Sequence, residues 1–270
     1  MVARTGVEGH VPADTTPGNE GEQMVPRPTT APAIAACLHP ARLLAYTAAV
    51  QGDPRAAIDL YMWNLRLAAA FYEVLALVEI GLRNALDAQL QRWVTTQGGA
   101  HSSAWLITGR PSPLSTLITG DTVRKMQRQA EMARGLRGSS HSRRHAALNH
   151  DDVLAQMTFG TLTALLPTAN TRAAKYGAKR VLWEQALVDA FPHLDTVADP
   201  EGHILADRVG RLHLLRNRVA HMEPLLEVNV PARLTDAYTV LGSIDPDFRS
   251  LAAGSSRVRS VLASDPRRIS

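Results

Sequence analysis

The chain of 270 residues has little of what disulfide-rich and sheet-rich proteins depend on. Its one cysteine, Cys37, excludes a disulfide framework and a metal site built from cysteine ligands within this sequence. Aromatic residues make up 5% of the chain, and no stretch of useful length alternates apolar and polar side chains. Alanine, leucine, arginine and valine are abundant instead, and they favour helices over strands. The sequence therefore predicts an all-α fold.

A long apolar run free of ionisable groups is also missing. The most apolar stretch, residues 65–90, is interrupted by charged side chains, among them Arg66, Glu73, Glu79 and Arg83. Such a stretch is typical of a buried helix and a poor candidate for crossing a membrane. The first 30 residues lack the apolar segment of a secretory signal. We therefore expect a cytoplasmic protein with no membrane association.

The remaining composition predicts one main domain. Hydrophobic residues make up 45% of the chain, which is enough for a sizeable core with appendages. Residues 1–38 are rich in proline, threonine, glycine and glutamate and are predicted to be disordered. Residues 39–245 are predicted to form a helical bundle, interrupted by a basic, mobile insertion at about 134–148. Residues 246–270 are predicted to be a peripheral, weakly helical tail.

Helical periodicity divides the bundle into several elements. Apolar residues recur every three or four positions from residue 55 to residue 95, with Asp53 and Pro54 as the expected start and a kink conceivable near Gly81. A helix of this length with so wide an apolar face must be covered by several neighbours. Further helices are predicted at 39–51, 121–136, 149–166 (capped by Asp151 or Asp152), 179–191, 202–221 and 231–242.

Two clusters of polar residues lie on these predicted helices. In the first, Arg216, Asn217 and His221 occupy the last two turns of a helix that Pro224 terminates. Asn217 and His221 are four residues apart and therefore share a face, with His213 one turn earlier. Arg216 is rotated by about 100° but has a long reach. The second cluster is Glu79, Arg83 and Asn84. If the two helices pack together, Glu79 is expected to hold one arginine by a bidentate pair and leave the other free.

An arginine, an asparagine and a histidine, without a metal cluster or a recognisable nucleophile, suit the cleavage of an RNA phosphodiester. A histidine can take the proton of a ribose 2′-hydroxyl near neutral pH, and a guanidinium can stabilise the pentavalent phosphate. No metal ion or cofactor is expected. A structural interpretation stays open, because arginine and histidine at a helix C-terminus also stabilise the helix dipole, and Glu79 with Arg83 can be a simple intrahelical ion pair.

Four ordered motifs resemble the Abi-like branch of the HEPN superfamily across residues 43–226. They are Leu-Tyr-Met-Trp-Asn at 60–64, Glu-x-x-x-Arg-Asn-Ala-Leu at 79–86, Asp-Val-Leu-Ala-Gln-Met-Thr-Phe-Gly at 152–160, and Leu-Arg-Asn-Arg-Val-Ala-His-x-Glu-Pro at 215–224. The resemblance implies a helical bundle and a metal-independent endoribonuclease of abortive phage infection or toxin–antitoxin systems. It also implies a homodimer with a composite active site, RNA as substrate and an antitoxin as a further partner.

The family signature, an arginine followed after four to six residues by a histidine, maps onto Arg216 and His221, with Asn217 as its polar companion. Glu79, Arg83 and Asn84 would then form a supporting shell. Further RNA contacts are expected from a set of basic residues, namely Arg124, Lys125, Arg128, His213 and Arg218. The net charge of +4 permits such an anionic partner without requiring one. The chain departs from the family pattern at Thr161-Leu162, where a Phe-Trp pair is common, and at Met222, where a second histidine is common.

Two other functions stay open. The same scaffold would serve as a non-catalytic RNA- or nucleotide-binding module, because a fold does not determine an activity. It would also serve as a structural helical interaction protein in which both clusters are buried polar networks. The basic stretch around residues 124–145 is either an RNA-binding arm or a solvated loop.

Overall fold

The computed structural model describes residues 31–99 and 101–268, and within these ranges every regular element is a helix. The predicted all-α fold is confirmed for this part of the chain. The predicted disorder of residues 1–30 lies outside the described residues. Residues 31–38, which the sequence assigns to the same disordered segment, form a helix instead, and Ala35 and Leu38 pack against the core.

The fold is organised around one helix of 43 residues, α3 (Pro54–Thr96). Its first turn is capped by the Asp53 carboxylate, which accepts hydrogen bonds from the backbone N–H groups of Arg55 (2.8 Å) and Ala56 (3.3 Å). The helix continues without interruption through Gly81. A Cβ at Gly81 would lie 2.5 Å from the Phe248 ring, so this glycine permits close helix packing where a kink was conceivable.

The described residues form twelve other α-helices. They are α1 (Ala31–Leu38), α2 (Pro40–Ala49), α4 (Trp105–Thr108), α5 (Leu114–Leu117), α6 (Gly120–Gly135), α7 (His150–Leu154), α8 (Phe159–Leu165), α9 (Tyr176–Gln185), α10 (His203–Ala220), α11 (Val230–Ile244), α12 (Pro246–Ser255) and α13 (Val258–Ala263). Two 3-10 turns, Leu187–Ala190 and Pro266–Arg268, complete the structure. Helices α2, α10, α11 and α13 all pack directly on α3. Among the described helices, none is long and apolar enough to cross a lipid bilayer.

The single helix predicted at 149–166 is wrong, because this stretch contains two helices. The Asn149 side chain starts α7 by accepting a hydrogen bond from the Asp152 N–H, and the Asp152 carboxylate accepts one from the Asn149 N–H, each at 3.0 Å. This reciprocal capping box places the helix start two or three residues before the predicted cap. Thr158 then caps α8 through the N–H of Thr161. The cap at Thr158 is a second helix start within the same apolar run, so the stretch forms two helices in place of the one predicted.

Residues 246–268 of the C-terminal tail pack on the core through a few buried side chains, which corrects the predicted peripheral position for this part of the tail. Helix α12 packs on α11, and α13 packs on α3. Val258 is completely buried, and the Trp63 indole of α3 donates a hydrogen bond to the Val261 carbonyl at 2.8 Å. The guanidinium of Arg267 lies over the Trp63 ring at 5.5 Å. The tail therefore covers a part of α3 that would otherwise face water.

The basic segment at 134–148 folds back on its neighbours and is not the free insertion that its composition indicates. Arg137 and Arg143 both form ion pairs with Asp152 of α7. Arg134 donates a hydrogen bond to the Ala146 carbonyl at 3.1 Å, and the Arg137 side chain is only 16% exposed. Arginines that neutralise a buried carboxylate at a helix cap serve the fold, which favours the loop interpretation of this segment over an RNA-binding arm.

Candidate functional site

The packing of α10 against α3 brings the two predicted clusters together around Glu79. One carboxylate oxygen of Glu79 lies 3.1 Å from a terminal nitrogen of Arg83, and the other lies 3.6 Å from Nε of Arg216. Glu79 therefore connects both arginines through separate oxygens. The expected bidentate pair with one arginine, leaving the other free, is wrong, because the carboxylate lies between the two helices and faces a guanidinium on each.

The two arginines of this cluster differ in exposure. Arg83 is 18% exposed and also donates a hydrogen bond to the Met157 carbonyl at 2.9 Å, so it ties α3 to the segment before α8. Arg216 is 39% exposed, and with the residues described it forms the Glu79 ion pair and no hydrogen bond. Arg83 thus has a structural position, whereas Arg216 presents an oriented guanidinium to solvent.

His213 and Asn217 form the second part of the site, one turn apart on α10. The Asn217 amide lies 3.2 Å from Nε2 of His213. The imidazole stacks on the Phe159 ring, with the ring centres 5.7 Å apart and the planes at 11°. The backbone of Gly160 lies so close that a Cβ there would be 3.3 Å from Nε2. The N-terminus of α8 therefore holds the His213 ring in one orientation.

Burial lowers the pKa of His213 below its usual 6.5, and the positive charge of Arg216 lowers it further, while Glu79 acts in the opposite direction. His213 is consequently neutral at neutral pH. If the Asn217 amide donates to Nε2, the proton of the neutral ring is on Nδ1. His213 and Asn217 thus form a hydrogen-bonded pair, whereas Arg216 pairs with Glu79 and affects His213 only through its charge.

His221 lies apart from this group, at the exposed C-terminal end of α10. The N–H groups of Met222 and Glu223 donate to the carbonyls of Val219 and Arg218 and close the helix immediately after it. No hydrogen bond or ion pair joins the His221 side chain to another residue in the described ranges. Its side chain borders a pocket against α2, so the three predicted catalytic residues share a helix end without sharing hydrogen bonds.

Asn84 does not join the supporting shell, which corrects its assignment. Its side chain is exposed and borders a separate cleft of about 600 Å³, together with Asp87, Gln91 and Arg92. The reason is helical geometry, since consecutive residues on α3 point about 100° apart and Arg83 already faces α10. Glu79 and Arg83 are therefore the two members of the predicted shell that the fold brings to Arg216.

The predicted RNA contacts fall on two different elements. Lys125 and Arg128 are exposed on α6, where Arg124 is paired with Asp121, and α6 packs on α7. Arg218 lies on α10 and is paired with Glu223 at 3.3 Å. His213 belongs to the site itself. The basic residues of α6 therefore do not extend the α10 cluster along one helix.

Two residues at the start of α8 contribute to the site without having been predicted to do so. Phe159 supplies the surface on which His213 stacks, and Gly160 leaves room for the ring. The available signal was the sequence Thr158-Phe159-Gly160, in which a helix cap is followed by an aromatic residue and a residue without a side chain. It does not reveal that the aromatic ring will meet a histidine from another helix.

Comparison of the chain with protein-family models finds no match, and comparisons with curated proteins and with solved structures find none either. The chemistry of the site is therefore interpreted from its own geometry. An oriented, half-exposed guanidinium suits an anion such as a phosphate. An amide and two imidazoles on the same helix add hydrogen-bonding groups.

Proposed function

We propose that this protein is a metal-independent endoribonuclease of the HEPN/Abi type that acts in abortive phage infection or in a toxin–antitoxin system. The observation that carries the proposal is Arg216. Its guanidinium is oriented by Glu79 and remains 39% exposed, on the same helix end as Asn217 and His221. A guanidinium with open approach can hold a phosphodiester and stabilise its charge.

In the proposed reaction His221 takes the proton from a ribose 2′-hydroxyl. The resulting oxygen attacks the adjacent phosphorus, the bond from phosphorus to the 5′-oxygen breaks, and the leaving oxygen is protonated by an imidazolium or by water. The products are a 2′,3′-cyclic phosphate and a 5′-hydroxyl. Arg216 stabilises the charge on the pentavalent phosphate. DNA does not react, because it lacks the 2′-hydroxyl.

His213 and Asn217 have supporting roles in this scheme. His213 lies eight residues before His221, which corresponds to about 12 Å along the helix. A phosphate against His221 is therefore too distant for direct proton transfer to His213. We assign His213 as the positioning residue of Asn217, whose amide lies 3.2 Å from the imidazole. Asn217 in turn orients the substrate.

We further propose that the active form is a homodimer with a composite site and that an antitoxin protein binds it. Exposed apolar side chains on the two helices that carry the site suit contact with a second copy. They are Tyr72 and Ile80 on α3 and Leu214 on α10, with exposures of 65%, 47% and 65%. If each site combines Arg216 of one subunit with His221 of the other, a mixture of two singly inactive variants regains cleavage.

The decisive experiment is incubation of the purified protein with a mixed RNA pool in EDTA, followed by mapping of the product ends. We expect wild-type protein to leave cyclic-phosphate ends. His221→Ala should lower the cleavage rate by about 100-fold or more, the usual contribution of a general base. Arg216→Ala should lower it by a similar factor.

The control for this experiment is His193→Ala, which removes an exposed histidine that follows the Leu187–Ala190 turn and should leave cleavage unchanged. Circular dichroism of each variant establishes that it is folded. Unchanged cleavage by folded His221→Ala would refute the role of this histidine. The absence of cleavage by wild type and by all variants would refute the enzymatic proposal.

The binding-module alternative is favoured by one observation, which is that no described side chain hydrogen-bonds to His221 and fixes its ring. A general base is normally held by a partner. A non-catalytic module would bind RNA with a steep salt dependence and give no cyclic-phosphate product. The same assay distinguishes the two functions when RNA binding is measured beside cleavage.

A further inference from the structure

A pocket of about 520 Å³ lies between α2 and the turn that follows α10, and we call it the α2 pocket. One wall is formed by the start of α2 and the other by the end of α10, with His39, Arg42 and Tyr46 on the first and His221, Met222 and Glu223 on the second. The proposed catalytic histidine therefore borders a cavity whose opposite wall has no role in the function proposed above.

The α2 pocket carries an excess of positive charge. Arg42 donates a hydrogen bond to the Met222 carbonyl at 3.2 Å, and in the described part of the chain no carboxylate forms an ion pair with it. The acidic residue of the pocket, Glu223, is already paired with Arg218 at 3.3 Å. With His39 and His221 on either side, the pocket offers an uncompensated guanidinium and two imidazoles to an anion.

Backbone strain is concentrated on both walls of this pocket. His39 has φ 64° and Met222 has φ 54°, a left-handed conformation that costs a residue with a side chain about 1 kcal/mol or more. The Met222 conformation ends α10 directly after His221 and turns the Met222 carbonyl to Arg42. The His39 conformation places its ring at the start of α2. Strained residues facing each other across one cavity are typical of a functional site.

The third observation is an unsatisfied hydroxyl. Tyr46 borders the pocket and is completely buried, and within the described residues its hydroxyl has no hydrogen-bond partner. Burial and the neighbouring Tyr61 raise the pKa of Tyr46 to about 12, so the group stays a neutral phenol. A buried donor without an acceptor is unfavourable, so this hydroxyl is a local destabilising feature beneath the pocket wall.

We propose that the α2 pocket binds the nucleotide next to the scissile bond of the RNA, with the exposed side chains of Arg42 and His39 contacting its phosphate. This inference rests on the proposed function, because His221 is the wall that the pocket shares with the reacting phosphate. A nucleotide fits better than a simple anion, since the pocket is far larger than a phosphate group and combines a guanidinium with the exposed imidazole rings of His39 and His221, on which a base can stack.

The test uses binding, so that it does not depend on cleavage. The probe is a fluorescein-labelled single-stranded RNA with 2′-O-methyl groups, which cannot react, and its affinity for the full-length protein is measured by fluorescence anisotropy at several salt concentrations. Arg42→Ala should weaken binding by about tenfold, the value of one charge-assisted hydrogen bond, and should reduce the salt slope by about 0.7.

Two further variants separate a binding role from a structural one. His39→Gly removes the imidazole, and glycine adopts the positive φ without strain, so binding should weaken while the melting temperature does not fall. Arg180→Ala is the matched control, because it removes an arginine from α9, which packs on α5 and on the Leu187–Ala190 turn, and it should leave binding unchanged.

The inference would be overturned if Arg42→Ala and His39→Gly bound RNA as tightly as Arg180→Ala does. It would also be overturned if the wild-type protein bound no RNA. The proposed ribonuclease activity is tested separately, by the cleavage assay. Cleavage by wild type with unchanged affinity of Arg42→Ala would retain the ribonuclease and reject the pocket. If the protein binds RNA in an Arg42-dependent way but does not cleave it, the proposed binding pocket is supported and the proposed ribonuclease activity is rejected.

Discussion

Replacement of Glu79 by glutamine removes the one negative charge that Arg83 and Arg216 share, while keeping the size of the side chain. The Arg83 contact, at 3.1 Å, lies within hydrogen-bond distance, whereas the Arg216 contact, at 3.6 Å, does not. Glutamine retains one oxygen acceptor, so one arginine keeps a hydrogen bond. The two guanidinium groups are then close together without a carboxylate between them.

The size of the effect follows from burial. An exposed ion pair contributes about 0.5 kcal/mol, whereas breaking a buried pair costs about 3–5 kcal/mol. Glu79 and Arg83 are 17% and 18% exposed, so their pair lies between these limits. The Arg216 contact is longer and more exposed and adds little. We therefore expect Glu79→Gln to lower the free energy of unfolding by about 2 kcal/mol.

Urea unfolding followed by circular dichroism and by tryptophan fluorescence measures this loss. The matched control is Glu184→Gln, which removes the carboxylate of another pair four residues apart, with Arg180 and Glu184 56% and 55% exposed. Its cost should be about 0.5 kcal/mol or less. Equal losses for the two variants would refute the reasoning, because burial of the Glu79 pair would then contribute nothing.

The same variant has a second, electrostatic readout. Glu79 raises the pKa of His213, against the stronger effects of burial and Arg216. Its removal should therefore lower the pKa of His213 further, and Arg216→Ala should raise it. Both changes are measured by NMR titration of the imidazole. A pKa that rises in Glu79→Gln would contradict the arrangement of charges around α10.

The remaining predictions concern pH and the tail. His213 has a pKa below its unfolded value of about 6.5, so its contribution to stability is complete above that pH and is lost as the pH falls through the folded pKa. Urea unfolding between pH 8 and pH 5 should show this loss in wild type but not in His213→Gln. Identical pH profiles for the two proteins would argue against this role of His213. Val258→Ala should lower the free energy of unfolding by about 2 kcal/mol because Val258 is completely buried, whereas Val197→Ala, at a site 93% exposed, should leave it almost unchanged. A small loss for Val258→Ala would mean that the tail is peripheral.

Local signals in the sequence account for much of this fold. The start of α3 at Asp53-Pro54, its long apolar stripe and the end of α10 before Pro224 each depend on residues close in sequence. Capping, proline geometry and helical periodicity act over a few residues, and for that reason they can be recognised without coordinates. Two of the three predicted members of the supporting shell also meet Arg216, because Glu79 and Arg83 are four residues apart on one helix face.

Other features depended on contacts between distant residues. The tail was predicted to be peripheral and weakly helical, yet Val258 is completely buried, and the Trp63 indole donates a hydrogen bond to the Val261 carbonyl, 198 positions further along the chain. Nothing near Phe159 indicates that it will stack on His213. Asn84 was assigned to the wrong face, because the sequence places it beside Arg83 and the helix turns it away.

The sequence by itself determined that the chain is helical, where its longest helix begins and which polar residues share a helix face. These properties follow from interactions within a few turns of one helix. Only the tertiary structure decided that Glu79 contacts both arginines, that His213 and Asn217 form a separate pair, and that His221 faces a pocket formed with α2. The physical reason is that the distance between side chains on different helices is set by how the helices pack around the whole core, which no local pattern encodes.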